Sequence, residues 1–371
     1  MAINLPSKGR RNRGLHMRDL FIPRTTYNVG GAKVVTDRNL LFVSEAAKLQ
    51  GHGFEQIVPA ARRGSAHGLW DRLIFLLFRI DKGQLAIVLH SARRGDLANV
   101  WLDHAALGLV IPLLWVIRQC SRFHHRRWPR LHLFHHNNEF RYLLDEYREM
   151  GSTLTPKRRF QLALTWFQQR VGAAFADRNY FISPSEVTGS RATVLPPSWP
   201  ALSESLQKHE SGDFVLLVGS QFFANEHGFR WYIENVAEVI AAPTIIAGRG
   251  LDEVFVSSGK VTVLGFVDDL DALYSEARIV AVPIFRGAGT KVKLVEAIHA
   301  GCQVVATPQA CEGLADRAAL LASGQLIEAN SDCFSRRLSD ELAARPKAPH
   351  YAHGAYIHDR FLPSFLAAYL S

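Results

Sequence analysis

Val282–Leu314 reads VPIFRGAGTKVKLVEAIHAGCQVVATPQACEGL. It opens as an apolar run of strand length, turns through Gly287-Ala288-Gly289, and continues as a helix from about Lys291. Glycines let backbone approach a ligand with no Cβ in the way. Free N–H groups and the positive dipole end at a helix start make an anion site. Arg286, Lys291 and Lys293 add mobile positive charge, which suits a diphosphate leaving group whose charge grows as a sugar bond breaks. Glu296, about a turn and a half into the helix, is an acceptor for ribose or sugar hydroxyls. The competing reading is a structural glycine turn with a solvated lysine pair.

Outward from this stretch the strand and helix signals alternate, as in parallel sheets covered on both faces. Strands are expected at 214–218, 244–247, 261–264, 278–282 and 303–306, forming one doubly wound unit. Upstream, strands are expected at 17–23, 84–89 (QLAIVL), 99–102, 130–134 and 179–182. Thr36 or Asp37 reads as the cap of a helix that stops at Gly51. Residues 105–117 read as a crossover helix in which Pro112 makes a kink or boundary. Residues 156–174 read as a basic amphipathic helix. Pro, Ser and charge concentrate in 195–212, the expected linker. The α/β chain thus divides into a basic disordered tail (1–16), a first Rossmann-like doubly wound domain (17–200), a second (201–354) and a C-terminal helix (355–371) packing back toward the first.

The chain has 371 residues, 48% hydrophobic and 21% charged, the mix of a folded two-domain protein. Its four cysteines are scattered without histidines at ligand spacing, so neither a disulfide frame nor a zinc site is expected, and the chain reads as cytosolic. The first residues lack the apolar core of a secretory signal. The longest apolar run, 105–117, is short of the roughly 20 residues that span a bilayer. The net charge of +9 is uneven: residues 1–200 hold about 29 Lys and Arg against about 14 Asp and Glu, and the remainder is net acidic.

Other residue types are candidates for chemistry. His135 and His136, at a strand's end, suit proton transfer near neutral pH, or else form a surface pair. Asp103 binds an acceptor or caps a helix. Asp268, Asp269 and Asp271 read as capping a helix start rather than holding a metal. Basic and aromatic residues interleave in 118–130 and 156–170, which fits an anionic membrane surface, nucleic acid or a solvated face. The membrane is the preferred partner, with no nucleic acid.

The quoted stretch resembles the donor segment of GT-B glycosyltransferases of the large bacterial family that builds lipopolysaccharide, capsule and exopolysaccharide. Gly287–Lys293, Leu294–Ala297, Val304–Pro308 and Glu312-Gly313 carry the likeness, over about 30 residues without a gap. Phe214–Asn225 (FVLLVGSQFFAN), Ala247–Gly250 (AGRG), Leu264–Asp269 (LGFVDD), Asn28–Gly31 (NVGG) and His136–Glu139 (HNNE) extend it, most weakly over 52–98. The resemblance implies the GT-B fold and a hexosyltransferase-type enzyme, using a UDP- or GDP-sugar and neither cofactor nor metal. Its acceptor would be a glycan or lipid-linked hydroxyl, and the enzyme would lie peripherally on the inner face of the cytoplasmic membrane. It assigns His136, Lys293 and Arg286 to catalysis. It gives Gly219, Ser220, Arg249, Phe266, Gly287, Gly289, Thr290, Lys291, Glu296 and Glu312 to the donor, and Gly30, Gly31, Asp103, His135 and Glu139 to the acceptor side. The resemblance favours retention over inversion, although this chain has Ala288 where many retaining members carry a glutamate. The alternatives are a non-catalytic GT-B partner of an active transferase and a sugar-nucleotide epimerase. Sequence leaves the base, sugar and oligomeric state open.

Overall fold

The computed structural model describes residues 17–23, 31–57, 69–120, 128–149, 151, 154–189, 191–207, 212–344, 352 and 354–371. Two six-stranded sheets, all of whose pairings are parallel, form two lobes. The first contains β1 (Arg18–Ile22), β2 (Gly53–Gln56), β3 (Leu97–Leu102), β4 (Arg130–His135), β5 (Arg178–Phe181) and β6 (Ala192–Val194), in the order β2-β1-β3-β4-β5-β6. The second contains β7 (Val215–Val218), β8 (Thr244–Ala247), β9 (Val261–Gly265), β10 (Ile279–Val282), β11 (Val304–Ala306) and β12 (Leu326–Glu328), ordered β12-β11-β10-β7-β8-β9. This is the α/β, two-domain GT-B architecture. Central strands such as β7 and β10 are buried along their whole length, the unbroken apolar pattern of a sheet covered on both faces. Strand order reverses between β1 and β3 in one lobe and between β7 and β10 in the other, and ligands bind open α/β sheets beyond the strand ends at such reversals.

Several local expectations are corrected. The QLAIVL segment belongs to a helix, Lys82–Arg94, started by a reciprocal cap in which Asp81 accepts from the Gln84 N–H while the Gln84 side chain accepts from the Asp81 N–H. Gly95 in the left-handed region ends it. Thr36 and Asp37 cap nothing: their helix begins at Gly31, Thr36 donates to Asp103 and Asp37 pairs with Lys33. Gly51, at φ 67°, does follow that helix's end. The 105–117 segment splits into a 3-10 turn, Ala105–Leu107, and a helix, Val110–Cys120, with Pro112 in its first turn where its missing N–H costs no bond. The short strands β2, β6 and β12 carried no clear signal. The tail 1–16, Gly30, residues 121–127 and linker residues 208–211 lie outside the described residues.

The chain crosses between lobes twice, and the crossings bind each other: Trp199 N–H donates to Tyr356 O (2.9 Å) and His358 N–H to Trp199 O (2.8 Å). The second crossing leads into the helix His358–Leu370, which lies on the first sheet, where Phe365 and Tyr369 join Phe21, Phe42, Trp101, Phe134 and Tyr180 in one buried aromatic cluster. A polar seam runs beside it. Buried Asp19 accepts from Asn99, and from Trp101 Nε1 at 3.1 Å, and Asn99 also donates to the Tyr369 hydroxyl. Burial raises the Asp19 carboxyl above its ordinary range.

Phe365 is fully buried. Phe365→Ala is expected to cost about 3–5 kcal/mol, read from urea denaturation, through loss of the ring and the cavity it leaves.

Candidate functional site

A cleft of about 510 Å³ lies between the lobes at the two reversals. The second lobe lines it with residues beyond β7 (Gly219, Ser220), β8 (Gly248, Arg249) and β9 (Phe266), and with the turn Gly287–Ala288 and the helix Val292–His299. The first lobe adds the start of its first helix, Ala32–Val35, together with His136, Asn137 and Tyr142.

The glycine turn is shaped for close approach. Gly287 and Gly289 hold φ of 94° and 76°, which only glycine adopts without strain, and a Cβ on Gly289 would land on Asn137 of the opposite lobe. No side chain caps the helix that follows, so its amide-bearing end is left to an incoming acceptor of hydrogen bonds. Two lysines flank this end. Lys291 Nζ donates to the carbonyls of Gly287 (3.1 Å) and Gly289 (2.7 Å), which locks the turn. Lys293 donates to Asn225 Oδ1 and sits 5.4 Å from the centre of the Phe229 ring. Burial pushes Lys291 down to about 8 and Lys293 to about 7, the latter also repelled by Lys291.

Further along the same helix, Glu296 accepts from the Tyr274 hydroxyl at 3.0 Å and from the Trp199 side chain, and burial pushes its carboxyl up to about 7. At the cleft's outer end the Arg249 guanidinium lies 5.0 Å from the centre of the half-exposed Phe266 ring, a flat cationic and aromatic surface.

Across the cleft stands His136. Its Nε2 contacts Asp103 Oδ1 at 3.1 Å, and Asp103 also accepts from Thr36 and Asn39, both at 2.6 Å. Burial alone would raise this carboxyl, but His136 and the two donors outweigh it and hold it below its ordinary range. Asp103 therefore orients the His136 ring through Nε2, and the buried Nδ1 has no partner among the described residues.

The structure brings most of the expected residues together and separates others. Gly219, Ser220, Arg249, Phe266, Gly287, Thr290, Lys291, Lys293, Glu296 and His136 all line the cleft. Gly289 shapes the turn, and Gly31 is the first residue of the helix facing it. Arg286 is exposed and turns instead into a second, smaller depression. Glu312 pairs with Arg141 of the opposite lobe. The surface reading of the histidine pair fails, because both are buried. His135 stacks on Phe181, 4.2 Å between ring centres, and binds Asn179, and burial drives it down to about 4. Asp103 is not a helix cap; that role falls to His104, whose Nδ1 accepts from Ala106 N–H while its Nε2 lies 2.9 Å from Glu139. Asp269 does cap, accepting from Ala272 N–H. No cluster of ligands suited to a metal occurs among the described residues. Sequence reasoning gave no role to Asn225, Asn39 or Trp199 and read Thr36 only as a helix cap, yet all four hold the working groups; Asn225, within FVLLVGSQFFAN, was the one nearest to a visible signal.

Residues 212–340 match the family model described as glycosyl transferases group 1. Among solved structures, the chain resembles WaaG, a glycosyltransferase involved in lipopolysaccharide biosynthesis, at 17% identity and a TM-score of 0.56, over 95% of this chain and 99% of that one. It also resembles Anabaena HepE in complex with UDP (14% identity, TM-score 0.59, 95% and 98% covered) and in complex with UDP and glucose (14%, 0.60, 96% and 98%). No curated protein matches the chain by sequence.

The depressed lysine gives a signed test. Between about 7 and the unfolded value near 10.4, Lys293 is neutral when folded and protonated when unfolded. The unfolded state then binds more protons, so stability rises with pH in that window. Lys293→Met removes this contribution. The stability of wild type relative to Lys293→Met, from urea midpoints at pH 7 to 9, is expected to improve by up to about 1.4 kcal/mol per pH unit.

Proposed function

We propose that this chain, which has the GT-B fold, is a group 1 glycosyltransferase that transfers a hexose or similar sugar from a UDP- or GDP-linked donor to an acceptor hydroxyl. The observation that carries the reading is the meeting, in one interlobe cleft, of an uncapped helix start, two half-buried lysines, a half-buried glutamate and a histidine from the facing lobe. The donor's base would lie on Phe266 and Arg249, its ribose hydroxyls on Glu296, and its diphosphate at the Gly287–Lys293 turn. As the sugar bond breaks, negative charge builds on the departing diphosphate. Lys293 and the helix amides are already aimed there in a water-poor pocket, where preorganised donors are most effective. This arrangement supplies the leaving-group charge from the chain's own residues, without a metal. The acceptor would approach from the first lobe, where His136 is held by Asp103. Ala288 leaves the turn without a carboxylate to act as a protein nucleophile, and we assign retention by same-face attack: the acceptor oxygen bonds to the anomeric carbon as the bond to the diphosphate breaks, and the departing diphosphate oxygen takes the hydroxyl proton while His136 orients the sugar.

The acceptor is proposed to be a glycan intermediate at an anionic membrane. The helix Pro156–Phe175 supports this by exposing Phe160, Trp166 and Phe167 beside Lys157, Arg159 and Arg170, the composition that settles at headgroup level. Among the described residues no helix is long and apolar enough to cross a membrane.

A thermal-shift screen against UDP, GDP and their sugars should find a stabilising nucleotide, since a ligand of the folded state raises apparent stability by mass action. Lys293→Ala is expected to lower transfer or donor hydrolysis by about 10²–10³ while the protein stays folded; unchanged turnover would remove the assignment. Glu296→Ala should weaken nucleotide binding in calorimetry. Liposomes containing acidic lipid should sediment the protein, less so as salt rises and less for Phe160→Ser/Phe167→Ser.

A further inference from the structure

On the other side of the glycine turn lies a second depression of about 290 Å³, bounded by both lobes. The helix Glu139–Glu149 contributes Arg141, Asp145 and Arg148, whose spacing of four and then three residues puts them on one face. The opposite lobe contributes Phe285, Arg286, Gly287 and Gln309. Three guanidiniums therefore line the depression against one carboxylate.

The internal bonds show how it is braced. Arg141 crosses to Glu312, and the Gln309 amide donates to Glu312 at 2.5 Å and to the Gly287 carbonyl at 2.9 Å. Asp145 is 3.7 Å from Arg148, a long contact that leaves much of that guanidinium's bonding capacity unused. Phe285 packs edge-on against Trp231, 4.7 Å between ring centres, giving one wall a fixed apolar surface. Gly287 forms part of both this depression and the main cleft, so the two spaces are separated by a single stretch of backbone.

We propose that this depression binds a phosphate monoester carried by the acceptor. Planar guanidinium forks pair with phosphate oxygens through two hydrogen bonds at once, a geometry that lysine lacks. A phosphate would be met by guanidinium donors from both lobes, with Arg141 already braced by Glu312 and Arg148 held only loosely by Asp145. Its position sets a phosphate next to the turn that holds the donor, and hence the acceptor's neighbouring hydroxyls at the mouth of the main cleft. The inference rests on the glycosyl-transfer reading for the word acceptor, but the anion site stands or falls by itself.

The test is a calorimetric titration of glycerol 3-phosphate into the full chain, both without nucleotide and saturated with the nucleoside diphosphate found by thermal shift. Saturable binding that persists with nucleotide present, and that weakens at least tenfold in Arg148→Gln/Arg286→Gln while nucleotide affinity is unchanged, supports the site. Arg148→Lys/Arg286→Lys should recover only part of the loss, because charge returns without the fork. Equal affinity in wild type and the double glutamine variant overturns the proposal. Binding of inorganic phosphate with exclusion of glycerol 3-phosphate overturns it as well, since the site would then serve a free ion. Both altered positions are on the surface, and far-ultraviolet circular dichroism verifies the fold. If wild type binds glycerol 3-phosphate but no nucleotide, the donor assignment fails and the anion site remains.

Discussion

The site depends on holding two lysine ammonium groups partly out of water beside a turn that has no side chains to cover them. Taking such an ion from water into the interior costs several kcal/mol even after relaxation. Lys291 recovers part of that through two carbonyls, and Lys293 through one amide oxygen and one aromatic face. That the affinity of both for protons still falls shows that the compensation is incomplete. An incoming anion completes it, so the strength of the grip is built into the empty pocket as an unpaid electrostatic debt.

The opposing lobe is shaped to the same turn. Asn137 sits where a side chain on Gly289 would be, and Ser183 where one on Gly313 would be, so the lobes meet backbone to side chain with no bulk between them. Tyr142 stacks face to face on Phe222, with 5.7 Å between ring centres, and Arg141 reaches Glu312. These contacts set the depth of the cleft and hold His136 opposite the lysines.

Much of this was legible in the chain. The strands of the second lobe are dense in Val and Ile between clear turn residues, and the glycine turn, the lysines and Glu296 follow one another without a gap, so local pattern sufficed. The first lobe was harder. QLAIVL is apolar at both helical and strand spacing, and only the Asp81 and Gln84 pair distinguishes them. The edge strands β2, β6 and β12 are three or four residues long and too short to show a period. Asp103 looked like a cap because its true partners, Thr36, Asn39 and His136, are distant in sequence and meet only when the helix Gly31–Gln50 packs beside the ends of β3 and β4. Arg286 looked like a ligand of the donor diphosphate because sequence proximity to a turn does not tell which side of it a side chain will take.

The paired crossings at Trp199 and Tyr356 have a mechanical corollary. A single connecting strand is a swivel; two strands riveted side by side are a strap, soft to folding along one line and stiff to torsion. Any opening of this molecule is thereby channelled into a book-like flexing, with the spine at the bonded crossing and the pages hinged along it. Because the Trp199 indole at that spine also touches Glu296 and stacks on His299, the spine and one edge of the cleft move as a unit.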